Sequence, residues 1–463
     1  MFKGYEIIVI VKFNDGLFVG FWQTGWHPTI FLAMMLHFVI ARTEACPNQR
    51  NVMSLPHSAV SPENRVASVL RSPKQLTRET LAGVITALAL IPEVISFSVV
   101  AGVDPKVSLI ASVVLCLALS VLGGRPAMVT AAAGSVALVI GPMVHQHGVQ
   151  YILPAVLMAG VIQILFGLLG MARLMRFIPQ SVMTGFVNAL GILIFFAQVP
   201  HFWSRSPLIV GLFVLTVLIV LWVPRYFKSI PSPLIAIVLL TLFTVSTGQN
   251  LPTVGDEGAM SGGLPGLSEL LVPLNLQTLS IIWPCALSIA FVGLLESLLT
   301  AKLVDELTAT PSSKRRESIG LGVGNILAGF YGGIAGCAMI GQTIVNVEMG
   351  KGRSRISTFA AGIVLLILVT ALSDVMANIP MAVLAGIMAI VAVKTFSWHS
   401  LQPATLKTAP IAETVVMLVT VAATVSTGNL AIGVLGGIIV MVLLPARIKR
   451  RLKAEKSSPA QEK

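Results

Sequence analysis

The sequence predicts an all-α polytopic membrane protein with 14 transmembrane segments in two inverted units of seven. Three observations lead there. Hydrophobic residues fill 55% of the 463 positions and charged residues 11%, and mean hydropathy is +0.89, outside the range of soluble domains. Apolar runs near helix-spanning length recur from residue 80 to residue 445. Lys and Arg gather in alternate connections between those runs, as the positive-inside rule requires of a multi-pass chain.

Taken in order, residues 1–72 read as an N-terminal cytoplasmic segment outside the bundle. Its apolar run, FLAMMLHFVIA at 31–41, is too short to span and is followed by polar ARTEACPNQRN. A translation start at Met53, ahead of the basic RSPKQLTRE, is the expectation for this region. The transmembrane domain is expected over 73–446, with one unit at about 77–248 and the other at about 276–445. Runs fall at 80–101, 107–122, 127–144, 152–171, 178–199, 207–223 and 231–247, then at 277–301, 318–331, 335–347, 356–373, 379–393, 410–426 and 429–445. The runs near 127 and 335 are short for full spans. Residues 447–463 form a basic tail, too few for a folded soluble domain.

The net charge of +12 does not imply a nucleic-acid partner, because its distribution is topological. Arg173 and Arg176, Arg225 and Lys228, Lys314 to Arg316, Lys351 to Arg355, Lys394 and Lys407, and the RIKRRLK tail mark one side. The long connection 248–275 instead carries Asp256, Glu257 and Glu269. Both termini are therefore expected in the cytoplasm and the acidic loop outside. The tail reads as a stop signal that can also touch anionic lipid. Cys46, Cys116, Cys285 and Cys337 have no metal-like spacing and no disulfide is inferred. His145 and His147 form an HxH without further ligands nearby, so no metal and no cofactor are expected.

Seven spans precede the acidic loop and seven follow, and an odd number per unit forces the two units into opposite orientations. Paired features keep one order. Glu93 and Glu296 each stand in a long apolar helix, a Gly-Gly step follows each, and VSTG recurs at 245–248 and 425–428. A carboxylate at bilayer depth costs at least several kcal/mol unless it faces a polar cavity or takes up a proton or cation. Two of them point to function. Glu348 and Glu413, near helix ends beside basic loops, read as interfacial ion pairs, and Asp305 and Glu306 as part of a solvated loop.

After the Gly-Gly steps, RPAMVTAAAG and IAGCAMIGQT place Pro, Gly and small residues where a full helix needs bulk. Each predicts a short extended stretch leading into a half-helix. Unwound backbone at membrane depth survives only where protein or a watery cavity satisfies it. The half-helix N-termini then direct N–H groups towards the centre, where an anion is favoured.

The chain resembles the SulP family of anion permeases and exchangers. The resemblance rests on IPEVISFSVVAGVDP, on GGRPAMVTAAAGS, and on ESLLTAKLVDELT followed by GLGVGNILAGFYGGIAGCAMIGQTIVNVEMGKGRSRIS. It implies a core domain moving against a gate domain, a plasma-membrane protein of bacterial inner-membrane type, and a homodimer. It also implies a substrate site at Glu93, Phe97, Thr130, Ala132, Gly134, Ala338, Met339 and Gln342. A coupling-ion site is implied at Glu296 and Thr300, and their i, i+4 spacing independently puts them on one helix face. The cytoplasmic STAS domain that many members carry is not expected here.

Two positions depart from the family pattern: Glu93 replaces a neutral or small residue and Gln342 replaces Arg. A simple anion beside two ionised glutamates is electrostatically implausible, which makes proton coupling the economical expectation, with sodium the alternative coupling ion. The expected function is secondary active symport of a small anion of the sulfate, bicarbonate or dicarboxylate class. The alternative is a permease for neutral or weakly acidic organic solutes such as nucleobases. No Walker-type motif supports a primary pump, and no clustered catalytic chemistry supports an enzyme.

Overall fold

In the computed structural model the described residues are 9–13, 16–20, 66–170, 179–203, 205–226, 231–258, 266–268, 271–273, 275–402 and 411–443. Two compact units divide the chain at residues 57 and 58. The first contains a hairpin of β1 (Val9–Phe13) and β2 (Gly16–Gly20), closed by a Phe13 to Gly16 pair. Its β-branched VIVKF suits a strand, and the all-α reading did not anticipate it. The expectations for Met53, the 31–41 run, Cys46, Arg173, Arg176, Lys228, Glu269, Lys407 and the basic tail lie outside the described residues.

The second unit places a helix on every apolar run. The first seven are α1 (Pro73–Ala101), α2 (Pro105–Leu122), α3 (Gly134–His147), α4 (Ile152–Leu168), α5 (Gln180–Phe202), α6 (Pro207–Trp222) and α7 (Ser232–Ser246). Then come α8 (Leu276–Thr308), α9 (Lys314–Gly329), α10 (Ile340–Ile344, continued by a π turn to Met349), α11 (Arg355–Ala371), α12 (Met381–Thr395), α13 (Ile411–Thr427) and α14 (Leu430–Leu443). Short helices at Val66–Arg71 and Ser373–Ala377 flank α1 and α12. Local chemistry sets the ends: Pro73, Pro105 and Pro207 open helices where a missing N–H costs nothing. Asn275 and Ser313 accept first-turn N–H groups of α8 and α9. Among the described residues, six helices are by themselves long and apolar enough to cross a membrane.

Packing partners sort the helices into two groups. In one, α4 packs on α9 and α8, α11 on α1 and α2, and α9 on α2. In the other, α5 packs on α12 and α13, α13 on α14, α12 on α6, and α6 on α7. Contacts between the groups are sparser, chiefly α1 with α12 and α8 with α14. The two VSTG stretches close α7 and α13, the seventh and thirteenth of these helices, and so would hold unequal places in two units of seven. Both end on a left-handed glycine, Gly248 at φ 61° and Gly428 at φ 64°, a general way of stopping a helix.

The extended stretches expected before α3 and α10 are β3 (Thr130–Ala132) and β4 (Gly336–Ala338). They pair antiparallel, Thr130 with Ala338, Ala131 with Cys337 and Ala132 with Gly336. All six residues are buried. Gly336 is required by space: a Cβ there would lie 2.3 Å from the Ala131 carbonyl oxygen.

Charges knit the basic end of the first group. The last carbonyls of α2, which no helical N–H can reach, are taken by two arginines. Arg355 donates to Ser120 (2.9 Å) and Gly123 (2.6 Å), and Arg316 to Val121 (2.7 Å) and Leu122 (3.1 Å). Glu317, fully buried, accepts the Gly124 and Arg125 N–H groups at 2.7 and 3.3 Å. The Arg125 side chain crosses to the end of α8, donating to Asp305 (3.0 Å), the Thr310 carbonyl (2.7 Å), the Val304 carbonyl (3.4 Å) and the Thr308 hydroxyl. Asp305 is thus a partner of a buried guanidinium and not part of a solvated loop, whereas Glu306 pairs with Lys302 at 3.9 Å on the surface. Glu79 of α1, also fully buried, accepts from the Arg353 and Ser354 amides at 2.9 and 3.0 Å.

Two stability predictions follow from these contacts. Arg125→Ala takes the donor from the Val304 and Thr310 carbonyls and the cation from Asp305, which keeps only the Ser312 hydroxyl at 2.8 Å, and should cost about 3 kcal/mol, seen as a lower melting temperature in detergent, with Arg125→Lys restoring only part because it lacks the planar fork. Gly336→Ala should destabilise by roughly 1–3 kcal/mol or more through overpacking. Gly341→Ala, with nothing within 4 Å of its Cβ position, should leave the same melting curve almost unmoved.

Candidate functional site

The ribbon of β3 and β4 is the centre of the site, because its backbone cannot rely on helical hydrogen bonds. Side chains from the surrounding helices supply the missing partners. Ser112 of α2 accepts the Ala132 N–H at 3.1 Å, and Cys116 donates its thiol to the Thr130 carbonyl at 3.2 Å. On the other strand, Ser297 of α8 accepts the Ala338 N–H at 2.9 Å, and Thr300 donates to the Ala338 carbonyl at 2.9 Å. Asn325 of α9 holds both polar groups of Gly336. Past the strands, Met339 donates its N–H to the Val129 carbonyl at 2.9 Å, and the Thr343 hydroxyl accepts the Val129 N–H at 3.0 Å.

Glu296 sits against this ribbon, 9% exposed. One of its carboxylate oxygens accepts the Ser135 hydroxyl, from the first turn of α3, and the Cys337 thiol at 3.1 Å. A single carboxylate thereby ties α8 to both β4 and the start of α3. Thr300, one turn on, is fully buried and shares its hydroxyl hydrogen between the Glu296 and Ala338 carbonyls. It clamps the strand here and does not present a free hydroxyl.

Glu93 is half-buried on α1. Gln342, 3% exposed on α10, and Lys394, in the last turn of α12, lie near enough for their polar and charged groups to act on the Glu93 carboxylate. Lys394 belongs to the second helix group, so Glu93 lies where the two groups face each other. Phe97, one turn beyond, is 4% exposed and lays its ring against Gly134, where any Cβ would meet it at 2.5 Å. Thr130, 1% exposed, has a hydroxyl without a partner.

The structure therefore assembles the sequence-derived set. Glu93 meets Gln342, Phe97 meets Gly134, Thr130 pairs with Ala338, and Glu296 and Thr300 reach the ribbon from α8. Ala132 and Met339 contribute backbone. The sequence argument missed Ser112, Cys116, Ser135, Ser297, Cys337, Thr343, Gln163 and Asn325. Gln163 and Asn325 had a signal, since an amide within an apolar run demands a partner for the same reason a carboxylate does. Ser and Cys on helices carry none, because they read equally as small packing residues. Among the described residues no group of three His, Cys, Asp or Glu is placed to hold a metal ion. His147 packs its ring on Tyr151 with centroids 5.6 Å apart.

Comparison with known proteins bears on the family and the fold. The model of the sulfate permease family matches residues 76–206 and 203–420. The putative sulfate transporter YbaR of Bacillus subtilis is 47% identical over 380 residues, covering 81% of this chain and 78% of YbaR. The bicarbonate transporter BicA of Picosynechococcus is 28% identical over 366 residues, covering 72% of this chain and 64% of BicA, just under two thirds of that protein. The solved transmembrane domain of a cyanobacterium bicarbonate transporter BicA superposes with a TM-score of 0.70 at 26% identity, covering 78% of this chain and 97% of that one. With a family match across most of the helical unit and the fold of a solved member, the chain belongs to the sulfate permease family, whose members are multi-pass membrane transporters and not enzymes.

Proposed function

We propose that this protein is a secondary active transporter that carries a small anion of the sulfate, bicarbonate or dicarboxylate class by alternating access, in symport with a proton or sodium. The observation that carries the reading is the placement of Glu93 and Glu296 around a buried ribbon that leads into two half-helices. A half-helix start offers unpaired N–H groups and the positive end of a dipole. Two carboxylates beside that point oppose an anion unless a cation arrives with it. The named relatives, a putative sulfate transporter and a bicarbonate transporter, support the anion class.

Packing supports the inverted 7+7 organisation. When each helix label is advanced by seven, α4 on α9 becomes α11 on α2, α1 on α11 becomes α8 on α4, α5 on α13 becomes α12 on α6, and α13 on α14 becomes α6 on α7. Every one of these is a packed pair. We take the group of α1–α4 and α8–α11 as the core and the group of α5–α7 and α12–α14 as the gate, over residues 73–446 with units at about 77–248 and 276–445. A homodimer in the plasma membrane, of bacterial inner-membrane type with both termini in the cytoplasm, completes the reading. Glu93, Phe97, Thr130, Ala132, Gly134, Ala338, Met339 and Gln342 bind substrate. Glu296 and Thr300 serve the coupling ion.

The acid and amide of Glu93 and Gln342 also suit a ring that offers both a donor and an acceptor, which is the observation favouring a nucleobase-like solute as the second reading. A radiolabelled panel of both solute classes in proteoliposomes, with imposed pH and sodium gradients, separates them. Anion uptake should follow an inward proton or sodium gradient. Glu296→Gln should lower gradient-driven accumulation about tenfold, the equivalent of about 1.4 kcal/mol, and Glu93→Gln should shift the half-saturation concentration and its pH dependence. Uptake indifferent to both gradients and both substitutions overturns the reading.

A further inference from the structure

The strand β4 is held at its first residue by a device that β3 lacks. Asn325 accepts the Gly336 N–H on Oδ1 at 2.8 Å and donates from Nδ2 to the Gly336 carbonyl at 3.2 Å. One amide side chain thus bonds both polar groups of a single residue, as a neighbouring strand would. Gln163 of α4 backs it, its Oε1 accepting from Asn325 Nδ2 at 2.9 Å. Gln163 and Asn325 are both fully buried. The first residue of β3, Thr130, has only a thiol on its carbonyl, Cys116 at 3.2 Å, and sulfur is the weaker donor.

Gly336 is followed directly by Cys337, whose thiol reaches Glu296, and by Ala338, which Ser297 and Thr300 hold. A shift of Gly336 therefore moves three contacts around Glu296 together. Gln163 Nε2 has no partner and lies 3.1 Å from where a Gly293 Cβ would be, so the amide pair also abuts α8 one turn before Glu296.

We infer that Asn325, backed by Gln163, is a positioning residue that acts as a surrogate strand for β4 and sets the height of Cys337 and Ala338 against Glu296. Neither amide touches substrate; both act through the Gly336 peptide. The inference rests on the reading that β4 and Glu296 belong to the transport site, but its first test does not need transport.

The test labels the detergent-solubilised full chain with N-ethylmaleimide and quantifies each cysteine-containing peptide by mass spectrometry. In the wild type Cys337 should react slowly, being fully buried. Asn325→Ala should speed Cys337 labelling about tenfold, the worth of about one buried hydrogen bond, while Cys285 in the same digest, at the outer half of α8, keeps its rate. Gln163→Ala, which leaves the direct Gly336 bonds in place, should give a smaller rise of about threefold. In proteoliposomes Asn325→Ala should raise the half-saturation concentration about tenfold with maximal rate changed less than about twofold. Equal acceleration at Cys285 and Cys337 means general loosening and overturns the inference, as does unchanged Cys337 labelling. Should Asn325→Ala fail to fold, Asn325→Asp keeps the acceptor and the volume while removing the donor, and the same two outcomes decide. If the wild type moves no anion yet Cys337 labelling responds as stated, the transport reading fails and the positioning role stands.

Discussion

The structure depends on one constraint: backbone that leaves the helix inside an apolar bundle must find a partner for every N–H and C=O. The chain meets it by pairing two three-residue strands with each other and giving their outer edges to side chains. Ser112, Cys116, Ser297, Thr300, Asn325 and Thr343 bond the backbone of residues 129–132 and 336–338. Each is small or carries an amide, so it satisfies the strand without adding charge. Burial of the ribbon then costs little, and the half-helices that follow can begin at the centre of the bundle.

The same principle explains the basic end. Helix α2 stops at Gly123, and its four last carbonyls would be orphans without Arg316 and Arg355. Their positive charge suits the negative end of the helix dipole, and Glu317 turns the chain inward by binding the next two amides. Arg125 then reaches the end of α8. The segment entering β3 is thus anchored to α8, α9 and α11 before it becomes a strand. Few contacts join the first helix group to the other, and Glu93 with Lys394 stands at the boundary.

Much of this was legible. The helices lie on the apolar runs because burial in lipid or protein demands length and hydrophobicity that composition reveals directly. Glu93 and Glu296 stood out because a charge in such a run has few innocent explanations. VSTG misled, since a threonine-glycine stop serves any helix end and carries no record of repeat position. Asp305 misled because the sequence does not show that Arg125, 180 residues away along the chain, will be buried beside it. The hairpin strands at 9–13 and 16–20 are five residues each, too short for hydropathy to set them apart from a loop.

By itself the sequence determined the membrane class, the helix positions, the broken third and tenth segments and the two carboxylates beside the ribbon. Periodicity, hydropathy and the cost of isolated charge are local properties, and they survive without knowledge of neighbours. Only the tertiary structure decided which side chains complete the strands, that Thr300 spends its hydrogen on carbonyls, and that Asn325 holds Gly336 at both ends. Those are choices among many small polar residues of equal appearance. Hydrogen bonds are directional over about 3 Å, so which residue makes one is fixed by packing and cannot be read from type or spacing.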